Sequence, residues 1–168
     1  MESAEITAHI PRLRRYARAL AGDSQRADDL VQDTLERGLA KFHLWRRGSD
    51  LRAWLFAIMH NVFINQLKAR REFALDDVAE AALQSPPQTD PLEVRDLDAA
   101  LRLLPTEQRE VLLLVGLEQL SYAETGKALG IPIGTVMSRL SRGRDRLRAL
   151  TSGTSAIIAT TTTLKAVK

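Results

Sequence analysis

The chain has 168 residues, of which 45% are hydrophobic and 27% charged. This composition is typical of a soluble globular protein with one ordinary domain or two small ones, and the net charge of +3 is only mildly basic. The absence of cysteine excludes a disulfide framework, a thiolate metal site and a cysteine nucleophile. The histidines (His9, His43 and His60) show no metal-ligand spacing. No stretch approaches the roughly 18 apolar residues of a membrane span, and no N-terminal apolar run resembles a secretion signal. We therefore expect a cytoplasmic protein without a cofactor.

Apolar residues recur at helical spacing over residues 1–21 and again over residues 25–42, with a Gly-Asp-Ser break between them. The second helix carries an acidic outer face with Asp28, Asp29, Asp33 and Glu36. Acidic residues near a helix start favour the helix dipole, which explains part of this cluster. A contact surface for a basic partner is the alternative explanation.

Asp50 is placed to cap a third helix, whose high apolar content predicts the central member of a small bundle. The C-terminal end of this helix is basic, with Lys68, Arg70 and Arg71. Aromatic and amide side chains precede that basic end: Trp54, Phe56, Phe63, Asn61, Asn65 and Gln66. Stacking, amide contacts and cations together are typical of single-stranded nucleic-acid binding. Taken alone, aromatic residues at this spacing more often belong to a hydrophobic core.

Residues 73–93 predict a linker, because they contain five acidic residues, no Lys or Arg, and three prolines that oppose a long helix. This segment divides the chain into two small helical domains. An acidic connector is either simply solvated or attracted to a positively charged channel, and it would itself avoid DNA.

Two helices of the second domain precede a helix-turn-helix over residues 121–150. Ser121 and Glu124 have the spacing of a capping box, and Gly130 is suited to end the helix that they begin. Proline in the following turn prevents its continuation, and Thr135 can cap a new helix from residue 136 onward. Two helices joined so closely must cross at a steep angle, as in a DNA-binding helix-turn-helix.

The second helix of this pair is strongly basic, with five Arg and one Asp over residues 136–150, a local charge of 5 − 1 = +4. Phosphate is the natural complement, although a solvated basic face is the alternative. The tail, residues 151–168, is rich in Thr and shows neither caps nor a helical rhythm. We expect it to be flexible or to pair with a partner, and it has no assigned role.

Three segments together resemble the bacterial extracytoplasmic-function (ECF) sigma factors of the sigma-70 family. RADDLVQDTLERGLAKF is similar to the segment of sigma region 2 that binds the polymerase clamp, and DLRAWLFAIMHNVFINQLKARR to the segment that opens and reads the −10 element. LPTEQREVLLLVGLEQLSYAETGKALGIPIGTVMSRLSRGRDRLR is similar to region 4, which reads the −35 element.

The resemblance implies an all-α fold with two small domains joined by a flexible acidic linker. Its parts are region 2 (1–72), the linker (73–93), region 4 (94–150) and the tail (151–168). It implies core RNA polymerase, through its clamp and flap, and promoter DNA as partners. It also implies an anti-sigma factor that inhibits the protein and can hold it at the membrane.

The resemblance also implies roles for individual residues. The residues that face the polymerase would be Asp28, Asp29, Gln32, Asp33 and Glu36. Those near the opened −10 strand would be Trp54, Asn61, Asn65, Lys68, Arg70 and Arg71. Those at the −35 element would be Thr135, Met137, Ser138, Arg139, Ser141, Arg142 and Arg144. Many relatives have Lys or Arg at the position of Met137, so the promoter sequence cannot be copied from a relative.

Two other classes of protein remain as alternatives. An autonomous helix-turn-helix regulator should dimerise to bind two half-sites, but the sequence shows no heptad or other dimerisation segment. A sigma mimic that sequesters an anti-sigma factor would have no need of an arginine-rich recognition helix. An enzyme is not expected, since no carboxylate pair, metal cluster or glycine-rich phosphate loop is found.

Overall fold

The computed structural model describes the backbone of residues 2–76 and 92–165, and the side chains of residues 4–74 and 96–152. Helices and the turns between them account for these ranges, which confirms the predicted all-α fold. The α-helices are α1 (Glu2–Thr7), α2 (Ile10–Ala21), α3 (Ser24–Lys41), α4 (Leu51–Asp76), α5 (Leu92–Leu103), α6 (Thr106–Leu112), α7 (Tyr122–Leu129) and α8 (Ile133–Lys165). A 3₁₀ turn (Phe42–Leu44) follows α3, and a π-helix (Leu113–Leu117) follows α6.

The first helical segment is divided in two. The sequence predicts one helix over residues 1–21, which is wrong, because the chain turns at residues 8–9 between α1 and α2. Pro11 lies in the first turn of α2 and has no amide hydrogen to donate to the preceding turn, so a continuous helix would lack that bond. Gly22 ends α2 with a φ of 73°, a conformation that favours glycine.

The N-terminal bundle consists of α2, α3 and α4, with α1 against α3. Asp23 caps α3 by accepting a hydrogen bond from the Gln25 amide at 2.9 Å. The carboxylate of Asp50 caps α4 as predicted, accepting from the amides of Arg52 at 2.9 Å and Ala53 at 3.3 Å. Helix α4 continues to Asp76 and α5 begins at Leu92, so helix extends into both ends of the predicted linker segment (73–93), and its middle part, residues 77–91, lies outside the described residues.

The C-terminal half contains the helix-turn-helix in α7 and α8. The predicted capping box is present: the Ser121 hydroxyl accepts from the Glu124 amide at 3.1 Å, and the Glu124 carboxylate accepts from the Ser121 amide at 2.8 Å. Gly130 has a φ of 67° at the end of α7. The predicted start of α8 after Thr135 is wrong. The helix begins at Ile133, because the Pro132 carbonyl accepts the first amide bonds, from residues 135 and 136.

The backbone of α8 is helical to Lys165, although the sequence predicts no helix beyond residue 150. Thr151 shows how a hydroxyl residue is accommodated there, since its Oγ1 donates to the Leu147 carbonyl at 2.9 Å. A threonine that bonds within its own helix no longer competes with the helical backbone. An established helix also extends more easily than a new one nucleates.

The two halves are packed against each other. Helix α4 contacts α7, and α2 contacts α5, α6 and the π-helix. The principal cluster of buried side chains runs through both halves, from Leu13 and Leu55 to Val111 and Leu129. The helices that the sequence predicts to recognise the −10 and −35 promoter elements, α4 and α8, therefore belong to one packed body.

Candidate nucleic-acid and protein interfaces

The predicted polymerase residues form an acidic stripe, defined here as Asp28, Asp29, Gln32, Asp33 and Glu36, on the outer side of α3. All are exposed except Asp33, which is half-buried and accepts a hydrogen bond from Gln66 Nε2 of α4 at 2.9 Å. The first turn of α3 contains no acidic residue. Because the dipole effect fades beyond the first turn, it does not account for the stripe.

Arg70 lies beside this stripe rather than with the other predicted −10 residues. A shallow depression between α3 and α4 is lined by Asp29, Gln32, Asp33, Gln66, Ala69 and Arg70. Partial burial, helped by repulsion from Arg26, lowers the pKa of Arg70, while Asp23 and Asp29 act in the opposite direction. At about 100° per helical residue, Arg70 points away from Asn61 and Asn65. The structure therefore does not bring Arg70 together with the −10 group.

The other −10 candidates share one side of α4. Asn61, Asn65 and Lys68 are exposed and lie within about 60° of one another around the helix. Arg71 is also exposed, at the edge of this face. Trp54 is on the same side but half-buried, with its ring 6.4 Å from that of Phe42 at 83°. Its ring packs within the bundle and leaves part of its surface at the exposed face. The α4 face, as we call it, comprises Trp54, Asn61, Asn65, Lys68 and Arg71.

The recognition helix α8 presents most of its predicted −35 residues to solvent. Met137 is 52% exposed, and Ser138, Ser141, Arg142 and Arg144 are exposed as well. Val136 and Leu140 are buried beneath them. Thr135 is half-buried, and its carbonyl accepts a hydrogen bond from the Ser138 hydroxyl at 3.1 Å. The exposed residues form a surface that we call the α8 face: Met137, Ser138, Ser141, Arg142 and Arg144.

Arg139 is separated from the α8 face, and Tyr122 joins it. Arg139 is half-buried, with Nη2 3.8 Å from Glu107 Oε2 at the start of α6. A depression beside the recognition helix is lined by Tyr122, Met137, Leu140, Ser141, Arg144, Asp145 and Arg148. Sequence reasoning missed Tyr122 and Arg148 as members of this surface. The helical spacing of Arg148 from Met137, Ser141 and Arg144 could have predicted that it shares their side of α8. The sequence offers no such signal for Tyr122, because a tyrosine after a capping serine is equally suited to a hydrophobic core.

Over residues 2–76 and 92–165, no three His, Asp or Glu side chains are grouped so that they could hold a metal ion. In the same ranges no helix is long and apolar enough to cross a membrane.

An exposed basic helix in a helix-turn-helix, following a helical bundle with an acidic stripe, defines the class: a sigma-70-type protein with regions 2 and 4. Residues 6–60 match the family model described as the Sigma2 domain of PhyR, and residues 95–147 match that of Sigma-70, region 4. The chain is 43% identical to the ECF RNA polymerase sigma factor EcfG of Rhodopseudomonas palustris, over 87% of this chain and 82% of that protein. It is 34% identical to the ECF RNA polymerase sigma factor SigM of Mycobacterium tuberculosis, over 84% and 72% of the two chains. The chain belongs to the ECF RNA polymerase sigma factors, which direct core RNA polymerase to promoters.

A solved structure shares the fold. The sigma factor RpoE in complex with the anti-sigma factor NepR, from Bartonella quintana, is 37% identical to this chain, with a TM-score of 0.78 over 89% of this chain and 95% of that one. A match of this extent includes both halves, so the halves have a similar relative arrangement in the two proteins.

Proposed function

We propose that this sigma factor binds core RNA polymerase through the acidic stripe on α3. The observation that carries this assignment is the exposure of four of the five residues on one side of a helix, where neither capping nor burial accounts for them. Negative side chains arranged in this way favour a basic partner surface and steer its approach.

The α4 face and the α8 face are the proposed DNA contacts. Amides and cations on α4 would hold the opened −10 strand, with Trp54 available at its edge. The α8 face would enter the major groove at the −35 element, with Tyr122 and Arg148 as additional members. Arg70 and Arg139 have carboxylates near them within the protein, so we assign them to positioning rather than to direct DNA contact.

An anti-sigma factor is the proposed inhibitor, as in the Bartonella quintana complex with NepR. The protein would then act in the cytoplasm, and would be held at a membrane only if its inhibitor were anchored there. Its role is to bind and position polymerase and promoter, without catalysing a reaction of its own.

A sigma mimic is the second candidate, because residues 6–60 match the model for the Sigma2 domain of PhyR. A mimic needs the surface that binds the anti-sigma factor but needs no DNA-reading helix. Arg142, Arg144 and Arg148 are exposed on α8, which favours the sigma factor. Specific initiation by core polymerase in the presence of this protein would exclude a pure mimic.

The decisive experiment measures binding to purified bacterial core RNA polymerase and run-off transcription on genomic fragments. Asp29→Arg reverses an exposed charge in the stripe without breaking the Asp33–Gln66 hydrogen bond. Like charges brought together at an interface would weaken binding by about 2 kcal/mol, roughly 30-fold. Glu5→Arg makes the same charge change at an exposed position on α1 outside the stripe, and should bind as the parent does. Equal binding by both variants would remove the stripe from the polymerase interface.

A further inference from the structure

The depression beside the recognition helix has an apolar base between polar and charged walls. Leu140, which is 2% exposed, lies at its base, and Tyr122 and Met137 line it at 38% and 52% exposure. The other side chains that line it are polar or charged: Ser141, Arg144, Asp145 and Arg148. We call this feature the methionine depression.

Met137 differs from the other side chains of α8 that face solvent. Of the large apolar side chains on the described part of this helix, two are exposed, Ile133 and Met137, and Met137 is the one that lines the depression. Ser141, Arg144 and Arg148 follow it at helical spacing, so all four lie within about 60° of one another. A half-exposed methionine in a row of polar side chains is stabilised further if a partner covers it with an apolar group.

The size and charge of the methionine depression disfavour two kinds of occupant. Its volume is about 240 Å³, below the roughly 300–1,000 Å³ of clefts that enclose small-molecule ligands. Asp145 lies 3.8 Å from Arg148 in the same lining, so part of the positive charge is balanced there. The depression is therefore less suited to phosphate than the unpaired guanidinium of Arg142. A small neutral group that a larger partner presents at the surface fits it better.

The major groove of DNA offers one apolar group of this kind. Each base pair presents hydrogen-bond donors and acceptors at its major-groove edge, and thymine alone adds a C5-methyl group. A recognition helix contacts base edges through its N-terminal residues, and Met137 is the fifth residue of α8. Its side chain has three rotatable bonds and adapts to an apolar surface, whereas its sulfur is a weak acceptor. Met137 therefore matches the methyl group of thymine better than any other feature of a base edge.

We propose that Met137, with Leu140 and Tyr122 beside it, is a specificity-determining residue that recognises the C5-methyl group of one thymine in the −35 element. This inference rests on the proposed contact between the α8 face and the major groove, and it adds the base that the contact selects. Exposed arginines such as Arg142 and Arg144 hold the helix at the DNA through their charge. The methyl group then enters the methionine depression and is removed from water. Cytosine has no methyl group at this position, so it leaves the apolar surface of Met137 uncovered.

The test isolates a single methyl group on the DNA. The full-length protein first selects duplexes from a library with a randomised segment, and the selected sequences should share a thymine at one position. Each thymine of the preferred duplex, on both strands, is then replaced by deoxyuridine, which lacks the methyl group but keeps the same hydrogen-bonding groups. Fluorescence anisotropy should show a loss of affinity of about fourfold at that one position, since burying one such group contributes about 0.8 kcal/mol.

A double-mutant cycle between protein and DNA assigns the methyl contact to Met137. Met137→Ala places a strong helix former at an exposed position, so α8 should stay folded. This variant should bind the thymine duplex about fourfold more weakly than the parent does, and it should bind the thymine and deoxyuridine duplexes with equal affinity. Leu103→Ala is the matched control, because it shortens an apolar side chain that is 65% exposed on α5, outside the methionine depression. It should keep the parent's preference for thymine.

The outcomes distinguish this inference from the proposed function. If the parent selects a sequence but binds every deoxyuridine duplex as tightly as the thymine duplex, methyl recognition is overturned and −35 binding stands. A preference for thymine that persists in Met137→Ala, or that is lost equally in Leu103→Ala, would also overturn it. Failure to select any sequence would overturn both methyl recognition and the −35 contact. Polymerase is absent from these assays, so a methyl effect that depends on Met137 supports the inference even if polymerase binding fails.

Discussion

Five arginines lie on α8 between residues 136 and 150, and their surroundings differ. Arg139 has Glu107 at 3.8 Å, Arg148 has Asp145 at 3.8 Å, and Arg142 is exposed and forms no ion pair with any described side chain. An arginine that is free of an internal partner can offer its whole guanidinium group to a base edge or to phosphate. Arg142 and Arg144 both meet this condition, and Arg142 is the better choice for a test of −35 recognition because it lies nearer the start of the recognition helix.

We expect Arg142→Ala to weaken binding to a −35 duplex by about 1–3 kcal/mol. If Arg142 reads a base, the loss will be confined to cognate sequence and base preference will relax at one position. If it contacts phosphate, all sequences will weaken and the salt dependence will fall. Fluorescence anisotropy over a range of salt concentrations distinguishes the two. Arg37→Ala, an exposed arginine on α3, controls for the loss of one charge; an equal loss in both variants would contradict a specific role for Arg142.

The sequence predicts exposed residues better than it predicts their partners. Asn61 was singled out as an amide beside the basic end of its helix. Helical spacing predicted that Asp28 and Met137 are surface residues, because the apolar positions beside them determine which side faces the core. It could not separate Arg70 from its −10 neighbours or Arg139 from its −35 neighbours. Their carboxylates come from other helices, and nothing in a local pattern reports which distant side chain will lie nearby.

At the scale of secondary structure, the helix-turn-helix depends on a close backbone approach. Gly126 of α7 accepts a hydrogen bond from the Ile131 amide at 2.9 Å, and a Cβ at this position would lie 2.8 Å from the Ile131 carbonyl oxygen. The turn therefore folds back directly over Gly126, where no side chain fits without a backbone shift.

We expect Gly126→Ala to destabilise the protein by about 1–3 kcal/mol, because the turn must move to accept the methyl group. Gly134 is the matched control, since a Cβ there would meet nothing within 4 Å. Gly134→Ala lies in the first turn of α8 and should be neutral or stabilising by up to about 1 kcal/mol. Urea unfolding followed by circular dichroism measures both changes. A Gly126→Ala variant as stable as Gly134→Ala would contradict the close approach.

Helix ends were predictable where their determinants are local. The capping box at Ser121 and the cap at Asp50 are formed as their spacing indicates, because each involves residues only two or three positions apart. Two other predictions were wrong: the unbroken helix over residues 1–21 and the start of α8 after Thr135. Pro11 and Pro132 determine these helix ends through backbone hydrogen bonds, which the pattern of polar caps does not reveal. The π-helix at residues 113–117 has no sequence signal that we recognise.

At the scale of the whole molecule, Arg109 joins the end of α2 to the C-terminal half. Its guanidinium donates to the carbonyls of Leu20 on α2 and of Leu101, Arg102 and Leu104 around the end of α5, at distances from 2.7 to 3.0 Å. Burial, together with the nearby Arg102, lowers its pKa, while Asp98 and Glu110 act in the opposite direction. A sequence divided by an acidic, proline-containing segment predicts two separate domains. It cannot reveal this packing, in which one arginine donates to carbonyls of its own half and to the Leu20 carbonyl, 89 residues away along the chain.

Because the core is shared, we expect the parent protein to unfold in a single transition. Both tryptophans, Trp45 and Trp54, belong to the N-terminal half, so their fluorescence reports that half, whereas circular dichroism reports helices in both. The two signals should coincide for the parent. Arg109→Met removes four hydrogen bonds to carbonyls, although the Leu101 carbonyl keeps the Leu104 amide at 3.2 Å, and should cost about 3 kcal/mol. The loss of the contact with Leu20 should also uncouple the halves, so the two signals should separate. Arg146→Met, at an exposed position on α8, should leave them coincident. If the two transitions coincide in Arg109→Met, the apolar contacts alone couple the halves. If the two transitions separate in the parent, the shared core does not couple the halves.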